Sequence, residues 1–283
     1  MLRSGLPACI VVLLSLSTGA GGQTEHSPAN APLPEIRQLI QEVQAHQREM
    51  DKVRESYTFT SMHAIEDLDG NGQVKKTQTE EHEEFFVNGH AIERMVKRDG
   101  KPLNDHDEQK ESERVTRMVE KAEKTPAAGP SLDVSVSRLL DVMDVRNERR
   151  EIFRGRPAIA FDFVGRKDAK THGLAEDASK KLRGTVWIDE AGHQVAHLEA
   201  SFVDNFHVAG GLFADIQKGS NFRFDQELVN RELWLPTGSE ATMRARVLLV
   251  KNLKRHLVER DYDYKRFTVD AEQKDVRTNT TKP

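Results

Sequence analysis

Alternating apolar and polar residues predict strands along most of the chain, and the clearest example is a hairpin over residues 185–202. Two apolar-rich arms flank a turn that contains Gly192. On the returning arm, every second side chain is apolar, and these are Ala196, Leu198, Ala200 and Phe202. The intervening positions are polar, so the pattern predicts an antiparallel hairpin with one dry face and one wet face.

Further strands are predicted on both sides of this hairpin. Residues 57–101 contain the turn sequences Asn88-Gly89 and Asp99-Gly100, which favour tight hairpins. Residues 147–165 alternate again, and residues 205–270 are predicted to form consecutive antiparallel strands. The chain therefore predicts a large antiparallel sheet with the 185–202 hairpin near its middle.

Three segments have helical periodicity instead. Residues 35–55 place apolar side chains on one stripe, which is expected to pack on the sheet of the same domain. Residues 104–124 predict a highly charged, solvated helix, and residues 132–145 predict another amphipathic helix. These helices are expected to lie across the dry face of the sheet.

The N-terminus has the three parts of a secretory signal peptide. Residues 1–22 contain Arg3, then a short apolar run, and then small residues around Ala20 where a peptidase can cut. The apolar run is shorter than a membrane span requires, so cleavage is favoured over a retained anchor. The mature protein is expected to be periplasmic or secreted.

The remaining domain boundaries follow from composition. A proline-punctuated polar segment over 23–34 predicts a disordered leader, and residues 271–283 predict a flexible polar tail. Between them, residues 35–270 are expected to form a single domain. No internal repeat of fixed period is present.

Composition excludes several classes of partner and cofactor. The formal net charge of -4 provides no basic excess for nucleic acid. Cys9 is the only cysteine and lies within the predicted signal peptide, so the mature chain would have neither disulfides nor thiolate metal sites. We expect no cofactor and no metal.

Candidate chemistry is sparse. No nucleophile elbow, phosphate-binding loop or zinc-protease motif occurs in the sequence. His193 and His197 are interpreted as exposed turn and strand residues, since four residues along a strand separate them by roughly 13 Å. The run Asp67, Asp69, Asn71 and Gly72 matches the first positions of a calcium loop, but a plain hairpin turn is the favoured interpretation. The chain is predicted not to be an enzyme, although a hydrolase of envelope polymers stays open as an alternative.

Aromatic and long aliphatic residues on the predicted strands suggest a hydrophobic binding surface. The candidate ligand-binding residues are Phe161, Phe163, Trp187, Leu198, Phe202, Phe222, Phe224, Trp234 and Met243. Ordinary core packing explains any one of them equally well. Together they are compatible with an open sheet that lines a groove.

The sequence Gly-Thr-Val-Trp-Ile-Asp over 184–189, followed by the Gly192 turn and the strand 195–199, carries a family resemblance. The chain resembles the LolA/LolB-like family of periplasmic lipoprotein carriers, whose fold also occurs in the RseB N-terminal domain. The resemblance implies an α+β fold with a strongly curved antiparallel sheet. That sheet would be an unclosed half β-barrel, with helices capping its concave face.

The functional expectation follows from this resemblance. We expect an exported envelope protein that binds a lipid, an acyl group or another hydrophobic ligand, such as part of a lipoprotein, without catalysis. A protein-interaction or envelope-stress sensor module of the same fold is the alternative. The chain is expected to be a monomer that contacts membrane surfaces transiently and does not bind nucleic acid.

Overall fold

A computed structural model describes residues 32–125, 142–171, 173–208, 214–230, 233–247 and 251–266. Strands dominate these residues. The described ranges contain three helices, α1 (Ile36–Arg54), α2 (Asp105–Lys124) and α3 (Leu174–Ser179). The strands are β1 (Tyr57–Leu68), β2 (Val74–Val87), β3 (His90–Arg98), β4 (Lys101–Pro102), β5 (Met143–Phe153), β6 (Arg156–Gly165), β7 (Leu182–Asp189), β8 (Gln194–Phe202), β9 (Phe206–Val208), β10 (Ala214–Ile216), β11 (Asn221–Val229), β12 (Leu233–Val247) and β13 (Lys251–Arg266).

All strands belong to one antiparallel sheet. Its order is β4-β3-β2-β1-β13-β12-β11-β8-β7-β6-β5, and the short β9 and β10 extend from β12. Within the described residues, the two end strands β4 and β5 do not pair with each other, so the sheet is not closed into a barrel. The predicted α+β class with an unclosed antiparallel sheet is confirmed.

Tight turns set the register of the first hairpins. Asn88 and Gly89 have φ angles of 48° and 80°, and Asp99 and Gly100 have φ angles of 49° and 72°. Two successive positive φ angles characterise the type I′ turn, whose twist matches that of the flanking strands. The turn at Asp69 is also a hairpin turn, because its Oδ1 accepts hydrogen bonds from the backbone of Asn71 and Gln73, both at 2.8 Å.

Helix α1 is an amphipathic helix packed on the sheet, as the periodicity predicts. Its buried apolar stripe consists of Ile36, Leu39, Ile40 and Val43, which are 2–6% exposed. These side chains share one hydrophobic cluster with residues of β6, β7 and β8. Burial of this stripe, more than intrinsic helix propensity, holds the helix in place.

Helix α2 is the predicted charged helix, and it lies on β3. Asn104 caps its N-terminus, since Asn104 Oδ1 accepts from the backbone N–H of Asp107 at 3.0 Å. Glu111 accepts from the backbone N–H of Met95 at 2.7 Å, and Arg114 donates to the carbonyl of Glu93. Polar contacts to strand backbone therefore attach a helix that buries little apolar surface.

Several predictions concern residues outside the described ranges. These are the signal peptide, most of the leader, the tail and most of the predicted helix over 132–145. The end of that helix is wrong, because Met143 to Val145 begin β5 and pair with β6. Alternation over Met143 and Val145 fits a strand as well as a helix, and pairing with β6 decides between them. No described helix has the length and apolar character needed to cross a membrane.

Candidate apolar binding site

Four neighbouring strands, β6, β7, β8 and β11, bring apolar side chains to one face of the sheet. Directly opposed residues on adjacent strands point to the same face. The first such row is Phe161, Val186, Leu198 and Phe224, and the second is Phe163, Gly184, Ala200 and Phe222. We name Phe161, Phe163, Leu198, Phe202, Phe222 and Phe224 the apolar strip. Six of the nine predicted ligand-binding residues thus lie on one face.

Gly184 is needed for this arrangement. The Phe163 ring lies directly over it, so a Cβ atom on Gly184 would be 2.6 Å from Phe163 Cζ. The same Cβ would be 1.9 Å from the Glu199 carbonyl oxygen, which belongs to the paired strand and cannot yield easily. The glycine of the family-like Gly-Thr-Val-Trp-Ile-Asp segment therefore makes room for an aromatic ring.

One part of the apolar strip belongs to the same hydrophobic cluster as helix α1. Phe161 and Phe163 are 4% and 6% exposed and belong to the same cluster as Leu39 and Val43 of α1. Leu198, Phe202 and Phe222 are only partly buried at the border of this cluster. The apolar strip therefore has a buried portion, Phe161 and Phe163, and a half-exposed portion, Leu198, Phe202 and Phe222.

The other three predicted residues lie elsewhere. Trp187 alternates with Val186 and so lies on the opposite face, where its indole N–H donates to Glu151 and its ring contacts Phe153. Trp234 borders a separate cavity of about 380 Å³. Met243 on β12 is half-buried opposite Arg255. Alternation within a single strand does not show which face of the sheet these residues occupy relative to the other strands, because that depends on which strands pair and in what register.

The same face becomes polar toward β13 and β1. The first row continues from Phe224 through Ser239 and Glu259 to His63. Ser239 Oγ donates to Glu259 at 2.7 Å, and His63 Nε2 lies 3.8 Å from the other Glu259 oxygen. One face of the sheet is therefore apolar at one end and polar at the other.

A group of polar side chains, three of them buried, adjoins this row, and we name Ser61, His63, His82, Glu84, Glu259 and Asp261 the polar cluster. Ser61 is 0% exposed, and its hydroxyl donates to Asp261 Oδ1 at 2.6 Å. The hydroxyl also lies 3.0 Å from His63 Nε2. Because Ser61 is inaccessible and its proton is directed at a carboxylate, this Ser-His-Asp combination does not present a nucleophile.

Two carboxyl groups of the polar cluster, those of Glu84 and Asp261, have raised pKa values. Burial, followed by repulsion from Glu93 and Asp261, raises the pKa of Glu84 to about 8. Burial also raises the pKa of Asp261 to about 6, although the Ser61 hydroxyl opposes this shift. His82 is 6% exposed and stacks on His63 with ring centres 5.0 Å apart. The cluster is a titratable region, and sequence reasoning missed it because Ser61 and Asp261 lie far apart in the chain.

The opposite face of the sheet is strongly ionic. His256 lies between two carboxylates, with Nδ1 at 2.9 Å from Glu66 and Nε2 at 2.9 Å from Glu240. The hydrogen bond with Glu66, and then that with Glu240, raises the pKa of His256. Arg223 also pairs with Glu240. Mutually paired charges of this kind are typical of a solvated sheet face.

His197 corrects one sequence interpretation. It is 7% exposed, with Nδ1 at 2.6 Å from Asp225 and Nε2 at 3.1 Å from Glu199, so it is not an exposed strand histidine. Its ring stacks on Phe153 with centres 5.2 Å apart. The rings of Phe153 and Trp187, on other strands, contact His197, and alternation along β8 alone does not reveal these neighbours. Among the described residues, no group of histidine, cysteine or acidic side chains has the geometry to hold a metal ion.

Comparison with known proteins yields only distant structural similarity. No family model and no curated protein match the chain. One similar structure is a domain described as an outer membrane lipoprotein-sorting protein from Vibrio parahaemolyticus, with 11% identity and a TM-score of 0.35 over 84% of this chain and 98% of that chain. A DUF1329 family protein from Desulfovibrio piger has 11% identity and a TM-score of 0.33 over 81% of this chain and 94% of that chain.

The complex of MucA and MucB from Pseudomonas aeruginosa is also similar, with 11% identity and a TM-score of 0.24 over 81% of this chain and 100% of that chain. The lipoprotein-sorting domain is of the kind that the sequence resemblance names. Because every one of these TM-scores is 0.35 or lower, the proposals that follow rest on the residues of this chain.

Proposed function

We propose that this chain is an exported envelope protein that binds an acyl chain or another hydrophobic group along the apolar strip, without catalysing a reaction. The supporting observation is the half-exposed part of the strip, where Leu198, Phe202, Phe222 and Phe224 lie on one face of β8 and β11. Large apolar side chains that share one surface commonly mark a binding site. A bound ligand would cover the exposed parts of these side chains and so extend the hydrophobic core.

The polar end of the same face suggests that the ligand is amphiphilic. From Leu198 the row passes through Phe224 to Ser239, Glu259 and His63 on successive strands. Neighbouring strands are about 4.8 Å apart, so a chain lying across them reaches the polar end within about 20 Å. The carboxylates there favour a head group that donates hydrogen bonds.

The energetics require a long apolar chain. Each buried methylene contributes about 0.8 kcal/mol, whereas association costs at least about 4 kcal/mol in lost freedom. Phe161 and Phe163 are already buried in the cluster that includes the α1 stripe, so a ligand that reaches these rings must displace part of that packing. Short chains would therefore bind weakly, and affinity would rise with chain length.

Substitution at Phe222 tests the site. Phe222→Asp places a charge in the half-exposed portion and should weaken binding of a fluorescent long-chain fatty acid at least tenfold. Ile152→Asp is the matched control, because Ile152 is 69% exposed on β5, outside the apolar strip. Unfolding by urea is measured on both variants. Equal affinity of the two variants for the fatty acid would refute the proposed site.

The long edge strand β5 favours a second candidate function, a protein-interaction module. In the strand order β5 is the end of the sheet, and Ile152 on it is exposed. An exposed edge can pair with an extended segment of a partner. Under this alternative, Ile152→Asp weakens the interaction and Phe222→Asp does not.

Native mass spectrometry of protein isolated from its own periplasm separates the two candidate functions. A lipid-sized mass adduct supports the binding of an acyl group. A co-purifying polypeptide on a lipid-free chain supports the interaction module instead. Recovery of the mature chain in the periplasmic fraction, shortened by the predicted signal peptide, tests the proposed localisation.

A further inference from the structure

A second cavity, distinct from the apolar strip, lies beside Trp234. Its volume is about 380 Å³, and we name it the Trp234 cavity. Phe153 and Trp234 are its aromatic wall residues, and Ala158 and Ala196, at 1% and 5% exposure, are buried apolar residues of its lining. A small concave site with aromatic walls and small apolar residues suits a compact planar group.

Ion pairs hold the aromatic walls in position. The Arg156 guanidinium carbon lies 5.5 Å from the centre of the Trp234 ring. Arg156 also donates through Nε and Nη2 to Asp189 at 2.5 and 2.9 Å, and Asp189 is 1% exposed. On the other wall, the Arg154 guanidinium carbon lies 5.2 Å from the centre of the Phe153 ring. Because a buried carboxylate fixes Arg156, the Trp234 wall is pre-organised.

The lining also includes an acceptor with an unmet hydrogen-bonding requirement. Gln226 lines the cavity and is 6% exposed, and among the described residues its Oε1 has no hydrogen-bond partner. Gln194, opposite Asp189 across β7 and β8, is 2% exposed, and neither of its amide atoms has a hydrogen-bond partner among the described residues. Buried polar groups are almost always paired, so an unpaired acceptor beside a cavity indicates a missing donor.

The surrounding charges determine the kind of donor. Arg156 is matched by Asp189, and Arg154 lies between Asp225 and Glu227 at 2.7 and 3.1 Å. Carboxylates therefore outnumber guanidinium groups around the cavity, which disfavours an anionic ligand. A neutral ring with an N–H group satisfies both the apolar lining and the acceptor.

We propose that the Trp234 cavity binds a compact planar group that donates one N–H hydrogen bond to Gln226 Oε1. This proposal does not depend on the binding of an acyl chain at the apolar strip. The two sites share no residue, so either one can be present without the other.

Two probes of nearly equal shape test the role of the donor. Indole carries the N–H group, and 1-methylindole lacks it. The full-length protein contains two tryptophans, so its ¹H–¹⁵N spectrum should show two indole N–H resonances, which a Trp187→Phe variant assigns. We expect indole to shift the Trp234 resonance saturably, with a dissociation constant on the order of 1 mM. The Trp187 N–H is bonded to Glu151, and its resonance should move less.

The second part of the experiment compares affinities. Wild-type protein should bind 1-methylindole about tenfold more weakly than indole, because one hydrogen bond is lost. Gln226→Leu should remove this difference while leaving the unfolding temperature unchanged or raised, because no partnered acceptor is removed. Gln109→Leu, on the exposed surface of α2, is the control and should keep the tenfold difference.

Three outcomes would overturn the proposal. The first is a shift that does not saturate or that is equal for the two tryptophans. The second is equal affinity of the wild type for the two probes. The third is a marked fall in the unfolding temperature of Gln226→Leu, which would show that its amide already serves a structural bond.

Discussion

Glu84 should make the protein less stable as the pH rises from 5 to 9. The carboxyl group ionises near 4.5 in the unfolded chain, whereas its pKa in the folded protein is about 8. Between these values the folded state binds more protons than the unfolded state, so the free energy of unfolding falls as the pH rises. The contribution of Glu84 to the free energy of unfolding is fully present below pH 4.5, and it is lost as the pH rises through 8.

The size of the effect follows from the shift. One pKa unit corresponds to about 1.4 kcal/mol, so a change from 4.5 to about 8 has a ceiling of about 5 kcal/mol. Because Glu84 is only half-buried, solvent screening reduces the expected effect to about 2–3 kcal/mol. Asp261, whose pKa is raised to about 6, also lowers the free energy of unfolding as the pH rises, by a smaller amount and at lower pH.

Urea unfolding at intervals between pH 5 and pH 9 measures this effect. Glu84→Gln carries no charge, so it should unfold at higher urea than the wild type at pH 9 and show a flatter pH profile. Glu83→Gln is the matched control, because Glu83 is the exposed neighbour, 3.5 Å from Arg94, and it should keep the wild-type profile. Parallel profiles for the wild type and Glu84→Gln would refute the reasoning.

Three further predictions concern the packing and the ionic face. Gly184→Ala should lower the free energy of unfolding by about 2–4 kcal/mol in urea, because the added methyl group overlaps the Glu199 carbonyl; a neutral effect would contradict the described contact. Leu39→Ala, at a side chain that is 2% exposed, should cost about 2–5 kcal/mol in the same assay, and a cost below 1 kcal/mol would argue against α1 as part of the core. His256 should titrate by NMR above its usual pKa of 6.5, and Glu66→Gln should lower that pKa; an unchanged value would exclude the Glu66 contact.

Local patterns were sufficient to predict much of the fold. The apolar stripe of α1, the Asn88-Gly89 turn and the 185–202 hairpin all follow from residues close together in sequence, and the structure confirms each of them. Turn geometry and side-chain alternation act over a few residues, so the sequence displays them directly. The face that carries Leu198 and Phe202 was predictable for the same reason.

Long-range pairing limited the prediction of the candidate sites. Trp187 could not be assigned to the face opposite the apolar strip without the register between β6, β7 and β8. The polar cluster could not be predicted, since Ser61 and Asp261 are 200 residues apart. His197 resembles an exposed strand residue until Asp225 is placed beside it. Each of these sites depends on which strands become neighbours, and this is decided by the whole sheet.

Strand β13 has a consequence for the order of folding. On one side of it, β1 to β4 form successive hairpins, and on its other side β12 leads to the remaining strands. It is the last described strand, and it alone connects these two half-sheets. The pairing of β1 with β13 joins residues far apart in the chain, such as Ser61 and Asp261. Contacts of such long sequence separation form slowly, so each half-sheet should form first, and the two should join in a late step when β1 pairs with β13.

Until that step, β1 and β13 would each expose an unpaired edge to other chains. The chain is therefore most prone to aggregation just before β1 pairs with β13, and its refolding yield should fall as protein concentration rises.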